Sequence, residues 1–232
     1  MNHVKKYGIV LAFVWPQLGF AEEIDVTMHY VGPTEGQVWL GVQQGIEEAN
    51  LQGGFLGQKY QLEVVEPEAL ETTDIETVLL LATDDEFTMK VAQTDKYAAV
   101  PIINLNSTSD KLREACAKAQ SWHQDFVKFA ARQLNSRFEK NQGEEMSDDA
   151  WAGWAGTKMI ADSVVQTMQY DAAFMLNHLK TDLVFDGQKG DNANFRENGQ
   201  LRQILLLVDN DNKAPLRGFK GGLDSLGKVT CK

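Results

Sequence analysis

Several things are scarce in this chain, and each scarcity removes a class of function. Cysteine occurs twice in 232 residues, at Cys116 and Cys231, with no Cys-x-x-Cys pair, so that redox motif is excluded. Basic side chains are outnumbered, 22 against 33 acidic ones, for a formal charge of −11. Nucleic acid and anionic lipid surfaces are therefore poor partners. No apolar run approaches the roughly 20 residues of a membrane-spanning helix, and the one near the start is interrupted at Pro16 and Gln17. The sequence holds no nucleophile elbow and no phosphate-cradling glycine loop ahead of a lysine. Gly53-Gly54-Phe55-Leu56-Gly57 follows a helical pattern instead of a strand, so it is a turn and not a dinucleotide fingerprint. The four histidines, His3, His29, His123 and His178, stand singly without a second ligand at helical spacing. An enzyme, a resident metal and a cofactor are not expected.

What is present begins with an export pattern. Lys5 and Lys6 precede an apolar stretch over residues 7–15, and Gly19 and Ala21 place small residues where signal peptidase cuts. Residues 1–21 are expected to be removed before Glu22. No cysteine stands at that site, so a lipid anchor is not expected, and a soluble periplasmic protein follows. Loss of two lysines and no acid makes the remaining chain more acidic still. With 43% hydrophobic residues it can bury one full core or two small ones. In an oxidising compartment two cysteines have one connectivity, Cys116 to Cys231. The alternative is two free buried thiols, which Cys231, one residue from the end, suits poorly.

The periodicity alternates between strand and helix. Ile24, Val26, Met28 and Tyr30 alternate with polar residues, which is strand period, and Gly32-Pro33 turns the chain. Val38, Val42, Ile46 and Ala49 recur at helical spacing, with Gln44, Glu47 and Glu48 on the other side and Gly53-Gly54 as the stop. Strands follow over residues 60–66, 78–82 and 100–105, and Thr83 with Glu86 predicts a capping box for a helix reaching Tyr97. This order implies a parallel sheet covered by helices on both faces, with ligands outside the strand carboxyl ends at residues 30–35, 83–85 and 104–109. Beyond Cys116 the pattern is helical. Phe126, Ala130, Leu134 and Phe138 share one face, Ser147 caps a helix whose Ala152, Gly153, Ala155 and Gly156 permit close packing, and Asp171 caps a third. Residues 195–208 then read as two strands joined by a two-residue Asn198-Gly199 turn.

The segment GVQQGIEEANLQGGFL at residues 41–56, with Gly32-Pro33 before it and VPIINLNSTSDKL at residues 100–112, resembles the type I periplasmic binding proteins. That group contains the leucine/isoleucine/valine receptors of ABC transporters. FAARQLNSRF (129–138), DDAWAGWAGTKMIADSV (148–164), NGQLRQILLL (198–207) and PLRGF (215–219) resemble a subgroup found with pyrroloquinoline-quinone-dependent alcohol oxidation systems. In that subgroup two cysteines recur at the places of Cys116 and Cys231, which implies the same bridge. The resemblance implies an α/β lobe of residues 22–182 with the second lobe reduced to a hairpin remnant within residues 183–232, because a domain's worth of chain is missing after Cys116.

The resemblance also implies a site. Ser107 and Thr108 match the loop whose hydroxyls and amides hold an amino acid's carboxylate, and the plain alternative is a polar turn. Tyr30 and Thr83 stand at neighbouring strand ends; packing and helix capping are their alternatives. Asp209-Asn210-Asp211-Asn212 lacks the glycine and glutamate of a calcium loop and reads as a solvated turn. The expected function is a substrate-binding component of an ABC-type transporter for branched-chain-amino-acid-like ligands, with a permease or a periplasmic dehydrogenase as partner. The competing reading is an interaction module that docks a partner or forms a homodimer through the exposed lobe face, without a small-molecule ligand.

Overall fold

The computed structural model describes residues 23–106, 117–209 and 217–219. Four parallel strands form the central sheet in the order β2-β1-β3-β4: β1 (Ile24–Val31), β2 (Gln58–Val64), β3 (Val78–Leu81) and β4 (Ile102–Asn104). The strand alternation sends Val26, Met28 and Tyr30 to one face and Val31 to the other, and Leu80 and Leu79 divide in the same way. The first face is covered by α1 (Gly36–Gly53) and α4 (Asp148–Thr167). The second meets Val91 of α2 (Asp85–Ala92), Leu70, Ile75 and Tyr97. The expected parallel sheet with helices on both faces is what the chain builds.

Between them α1 and α4 share the largest interface between elements. It is a near contact of backbones. A Cβ on Gly45 would lie 2.7 Å from the Thr157 Cβ, and one on Gly153 would meet the Val38 carbonyl oxygen and, at 2.9 Å, the Val42 nitrogen. The small residues noted in the sequence thus divide their work: Gly153 admits α1, whereas Gly156 admits the Leu105 side chain from the end of β4. Close approach multiplies dispersion contacts along the whole seam.

Several local readings change. The helix after β3 is capped by Asp84, whose Oδ1 accepts from the Phe87 nitrogen at 2.8 Å, and not by Thr83. It stops at Ala92, and a separate 3₁₀ turn at Asp95–Tyr97 completes the stretch. The stop after α1 keeps Gly54 in right-handed geometry, and the left-handed residue is Gly57 at φ 69°. Helix α3 (Phe129–Gln142) buries Ala131, Leu134 and Phe138, so Phe126 precedes it and Ala130 lies off the buried row. The Ser147 cap of α4 and the Asp171 cap of α5 (Ala172–Thr181) form as expected.

The larger difference follows Cys116. Residues read as a passage into helices form β5 (Ala117–Gln120), which pairs antiparallel with β9 (Leu205–Asp209); β9 also pairs with β10 (Arg217–Phe219). The Asn198-Gly199 turn closes a shorter hairpin than expected, between β7 (Asn192–Phe195) and β8 (Leu201–Arg202). Arg196 nitrogen donates to Gln200 oxygen at 2.8 Å, so the loop has three residues, with Gly199 at φ 82°. Residues 195–208 therefore divide between two small sheets, because β6 (Phe185–Asp186) takes the other edge of β7. Phe185, Ala193 and Leu206 join the same buried cluster as α4.

Candidate functional site

The carboxyl ends of β1, β3 and β4 come together as a parallel sheet requires. Ala82 nitrogen donates to Val31 oxygen at 2.9 Å, and Leu105 nitrogen to Leu81 oxygen at 2.8 Å, so the chain leaves three adjacent strands at one level. Gly32, at φ 153°, lets the loop after β1 lie against β3. A Cβ there would stand 2.7 Å from the Ala82 Cβ and 2.8 Å from its carbonyl oxygen. Asn104 Oδ1 accepts from the Asn106 nitrogen at 2.9 Å and tightens the turn after β4.

The structure separates the two strand-end candidates it describes. Tyr30 is buried, its hydroxyl donates to the Pro33 carbonyl at 2.7 Å, and its ring lies 5.2 Å from that of Trp39. Burial pushes the phenol up to about 12. Tyr30 therefore shapes the loop at residues 32–35, with its hydroxyl proton committed to Pro33. Thr83 is half-buried, and with the cap transferred to Asp84 its hydroxyl engages, among the described residues, only the Thr88 hydroxyl, at 2.9 Å. Beside it Asp84, Asp85 and Glu86 are exposed. That rim suits a ligand's ammonium better than its carboxylate. Ser107, Thr108, Cys116 and Cys231 lie outside the described residues, as do residues 1–22 and 210–212.

Two polar centres were not legible in the sequence as such. Glu48, placed on the outer side of α1 by its spacing, is instead closed in between α1, α3 and α4 with a 15% exposed side chain. Its carboxylate accepts from Arg137 Nε at 2.8 Å, Trp154 Nε1 at 2.9 Å and Gln44 Nε2 at 2.9 Å. Desolvation raises its pKa, the largest single influence, but the donors together outweigh it and hold the carboxyl below its ordinary value. Lys189, 1% exposed, donates to the carbonyls of Ser121 and Ile204, both at 2.9 Å, and to Gln203 Oε1. Its Nζ sits 3.9 Å from the centre of the Trp151 ring. Burial depresses this amine to about 7, against a pull upward from Asp148. It ties the β6–β7 turn to the segments that follow β5 and precede β9. Among the described residues no group of three or more His, Cys, Asp or Glu side chains is placed to hold a metal ion. No helix among them is long and apolar enough to cross a membrane.

The four-stranded parallel sheet, its two helical layers and the convergent strand ends define an α/β lobe of the periplasmic-binding-protein type. Among solved structures, a leucine-binding protein from Thermotoga maritima matches with a TM-score of 0.63 at 9% identity, over 84% of this chain and 99% of that one. A possible leucine/isoleucine/valine-binding protein from Rhodopirellula baltica matches with a TM-score of 0.55 at 7% identity, over 87% and 98%. A branched-chain amino acid ABC transporter periplasmic ligand-binding protein from Burkholderia xenovorans aligns at 11% identity with a TM-score of 0.39, over 86% of this chain and 59% of that one. The first two establish the fold. No family model matches the chain, and no curated protein matches it.

Proposed function

We propose that this chain is a periplasmic substrate-binding protein-like component of an ABC-type transport system, with an amino-acid-like ligand at the carboxyl ends of β1, β3 and β4. The observation that carries the reading is the strand-end platform itself, with Thr83 half-buried, free of capping duty and bordered by carboxylates. Thr83 and that rim receive the ligand's ammonium, and Ser107 and Thr108 its carboxylate. Tyr30 acts only through the loop it pins. Residues 1–21 direct export, residues 22–182 form the lobe, and the remnant of the second lobe lies in residues 183–232. Cys116 and Cys231 pair. The resemblance of residues 129–138, 148–164 and 198–207 supports a place beside quinone-dependent alcohol oxidation, with a permease or a dehydrogenase as partner.

One lobe offers one wall, so a small ligand remains partly wet and affinity is millimolar or weaker. Calorimetry with leucine, isoleucine and valine, on protein that sedimentation shows to be monomeric, tests both parts. Weak binding lost in Thr83→Ala supports the reading. Micromolar binding overturns the one-wall argument, and no binding at tens of millimolar overturns the ligand itself. One observation favours the interaction module instead. Val127 and Phe129 are 76% and 69% exposed at the start of α3, and Phe129 lines a shallow groove with Arg132 and Arg137. A concentration-dependent dimer abolished by Phe129→Ser would support that second reading.

A further inference from the structure

The exposed side of α3 is basic in a chain whose formal charge is −11. Phe129, Arg132, Gln133, Ser136 and Arg137 recur at helical spacing, line a shallow groove of about 430 Å³, and are followed in the same row by Lys140. No carboxylate stands in that row. Arg137 is paired with Glu48, whereas Arg132 and Lys140 are exposed and have no ion-pair partner among the described residues. Val127 and Phe129 add exposed apolar surface at the start of the helix. An exposed aromatic ring one turn from an unpaired guanidinium is the pairing that anchors protein contacts, and it calls for an apolar group one turn from a carboxylate.

That complement is on the same chain. The outward side of α2 carries Asp85, Glu86 and Met89, all exposed, Met89 at 55%, and neither carboxylate has an ion-pair partner among the described residues. In α2 the carboxylates stand one turn before the apolar residue, whereas in α3 Phe129 stands one turn before Arg132. The orders are reversed, so an antiparallel pairing sets Met89 on the Phe129 ring and Asp85 with Glu86 on Arg132. The helix dipoles then oppose one another, which is the favourable sense. Both rows cannot be joined within one copy. α3 packs into the apolar cluster on the first face of the sheet and α2 into the cluster on the second, so the rows belong to opposite sides of the lobe. A two-fold dimer does not bring both pairs of rows together at once. The contact is therefore head-to-tail, leaving one row of each kind open at the ends.

We infer that the chain associates with a second copy of itself head-to-tail, the α3 row of one copy seated on the α2 row of the next. This rests on the interaction reading of α3 and names the surface that α3 meets. Sedimentation velocity on the exported full chain, from micromolar to millimolar concentration, is the test. Mass should grow beyond the dimer, because the contact does not close, and should fall back in about 0.5 M sodium chloride, because exposed charges are screened. Arg132→Glu with Gln133→Glu, and separately Asp85→Lys with Glu86→Lys, should each weaken association at least about tenfold. Mixed in equal amounts, the two variants should associate again, since each presents the charge the other lacks, and that recovery also shows that both are folded. The neutral pair Asp85→Asn with Glu86→Gln, which keeps positive charge away from the start of α2, should weaken association as well. Thr83→Ala leaves it unchanged, which separates this contact from the strand-end ligand. Association that needs Phe129 but ignores the Asp85 and Glu86 changes overturns the inference and keeps the interaction reading. A dimer that grows no further, or a mixture of folded variants that stays monomeric, overturns the head-to-tail contact, and a parent chain that stays monomeric throughout overturns self-association altogether.

Discussion

Glu48, in the seam of α1, α3 and α4, and Lys189, at the junction with β5 and β9, are both withdrawn from water, yet their surroundings treat charge in opposite ways. Glu48 meets a guanidinium, an indole N–H and an amide N–H, so the carboxylate is favoured despite desolvation. Lys189 meets two carbonyls, an amide oxygen and a ring face, all neutral, and desolvation prevails. Burial alone does not decide protonation; a formal countercharge with several donors does. The seam is therefore indifferent to pH near neutrality, whereas the junction responds to it.

The most damaging way to break this comparison is in the seam's backbone contact. Gly153→Val places a side chain against the Val38 carbonyl and the Val42 nitrogen, atoms that cannot step aside. A loss above about 3 kcal/mol is expected, enough to unfold much of a marginal domain. Urea denaturation followed by circular dichroism measures it, and a midpoint near that of the parent chain would show that the two helices are free to separate.

At the junction, Lys189→Met removes the shared donor and leaves the Ser121 and Ile204 carbonyls unsatisfied, at a cost of about 3 kcal/mol. The loss should be local. Hydrogen exchange should accelerate in residues 120–122 and 185–206, with little change in α1. The parent chain should also gain stability as pH rises between about 7 and 10.5, where the unfolded lysine holds a proton that the folded one has released. The slope from this group is at most about 1.4 kcal/mol per pH unit, and the whole contribution is lost again as pH falls through about 7. Lys189→Met must flatten that slope; a slope that persists would assign it to another group.

Glu48→Gln is milder, about 1 to 2 kcal/mol at neutral pH, because the amide oxygen still accepts from Trp154 while the charge opposite Arg137 is gone. The sign in acid is fixed by the lowered pKa. Glu48 stabilises the fold above its unfolded pKa, and that contribution disappears as pH falls through the folded value below the ordinary 4.5. Urea midpoints across the acid range should therefore fall more steeply in the parent than in the variant.

The smallest effects separate Thr83 from its neighbour. Asp84→Ala removes the working cap of α2 and should cost about 1 kcal/mol, whereas Thr83→Ala should stay within about 0.5 kcal/mol. A reversal in thermal melts would return the cap to Thr83 and weaken its assignment to the ligand site. The two residues are adjacent and both carry a short acceptor, so the spacing to Phe87 and Glu86 fits either cap. Only the backbone turn after β3 decides between them.

Features with a short reach in the chain were legible without a structure. The alternation from Ile24 to Tyr30, the helical spacing of Val42 and Ala49, and the caps at Ser147 and Asp171 each depend on residues no more than a few positions apart. The close packing of α4 was readable too, because glycine and alanine at Gly153 and Ala155 leave room for a neighbour whatever that neighbour is. Tertiary structure alone decided the rest. Ala117–Gln120 alternates apolar and polar, but four residues with only alanine as the apolar member are too short and weak a signal, and the segment becomes β5 by pairing with β9, with Ala117 opposite Asp209. Glu48 looked like a surface residue until α3 and α4 covered it. Lys189 sits in a glycine-flanked turn whose sequence asks for solvent, and His29 carries the strand pattern of any exposed polar position. In each case the deciding quantity is the desolvation and pairing of a polar group, and that depends on elements tens of residues away.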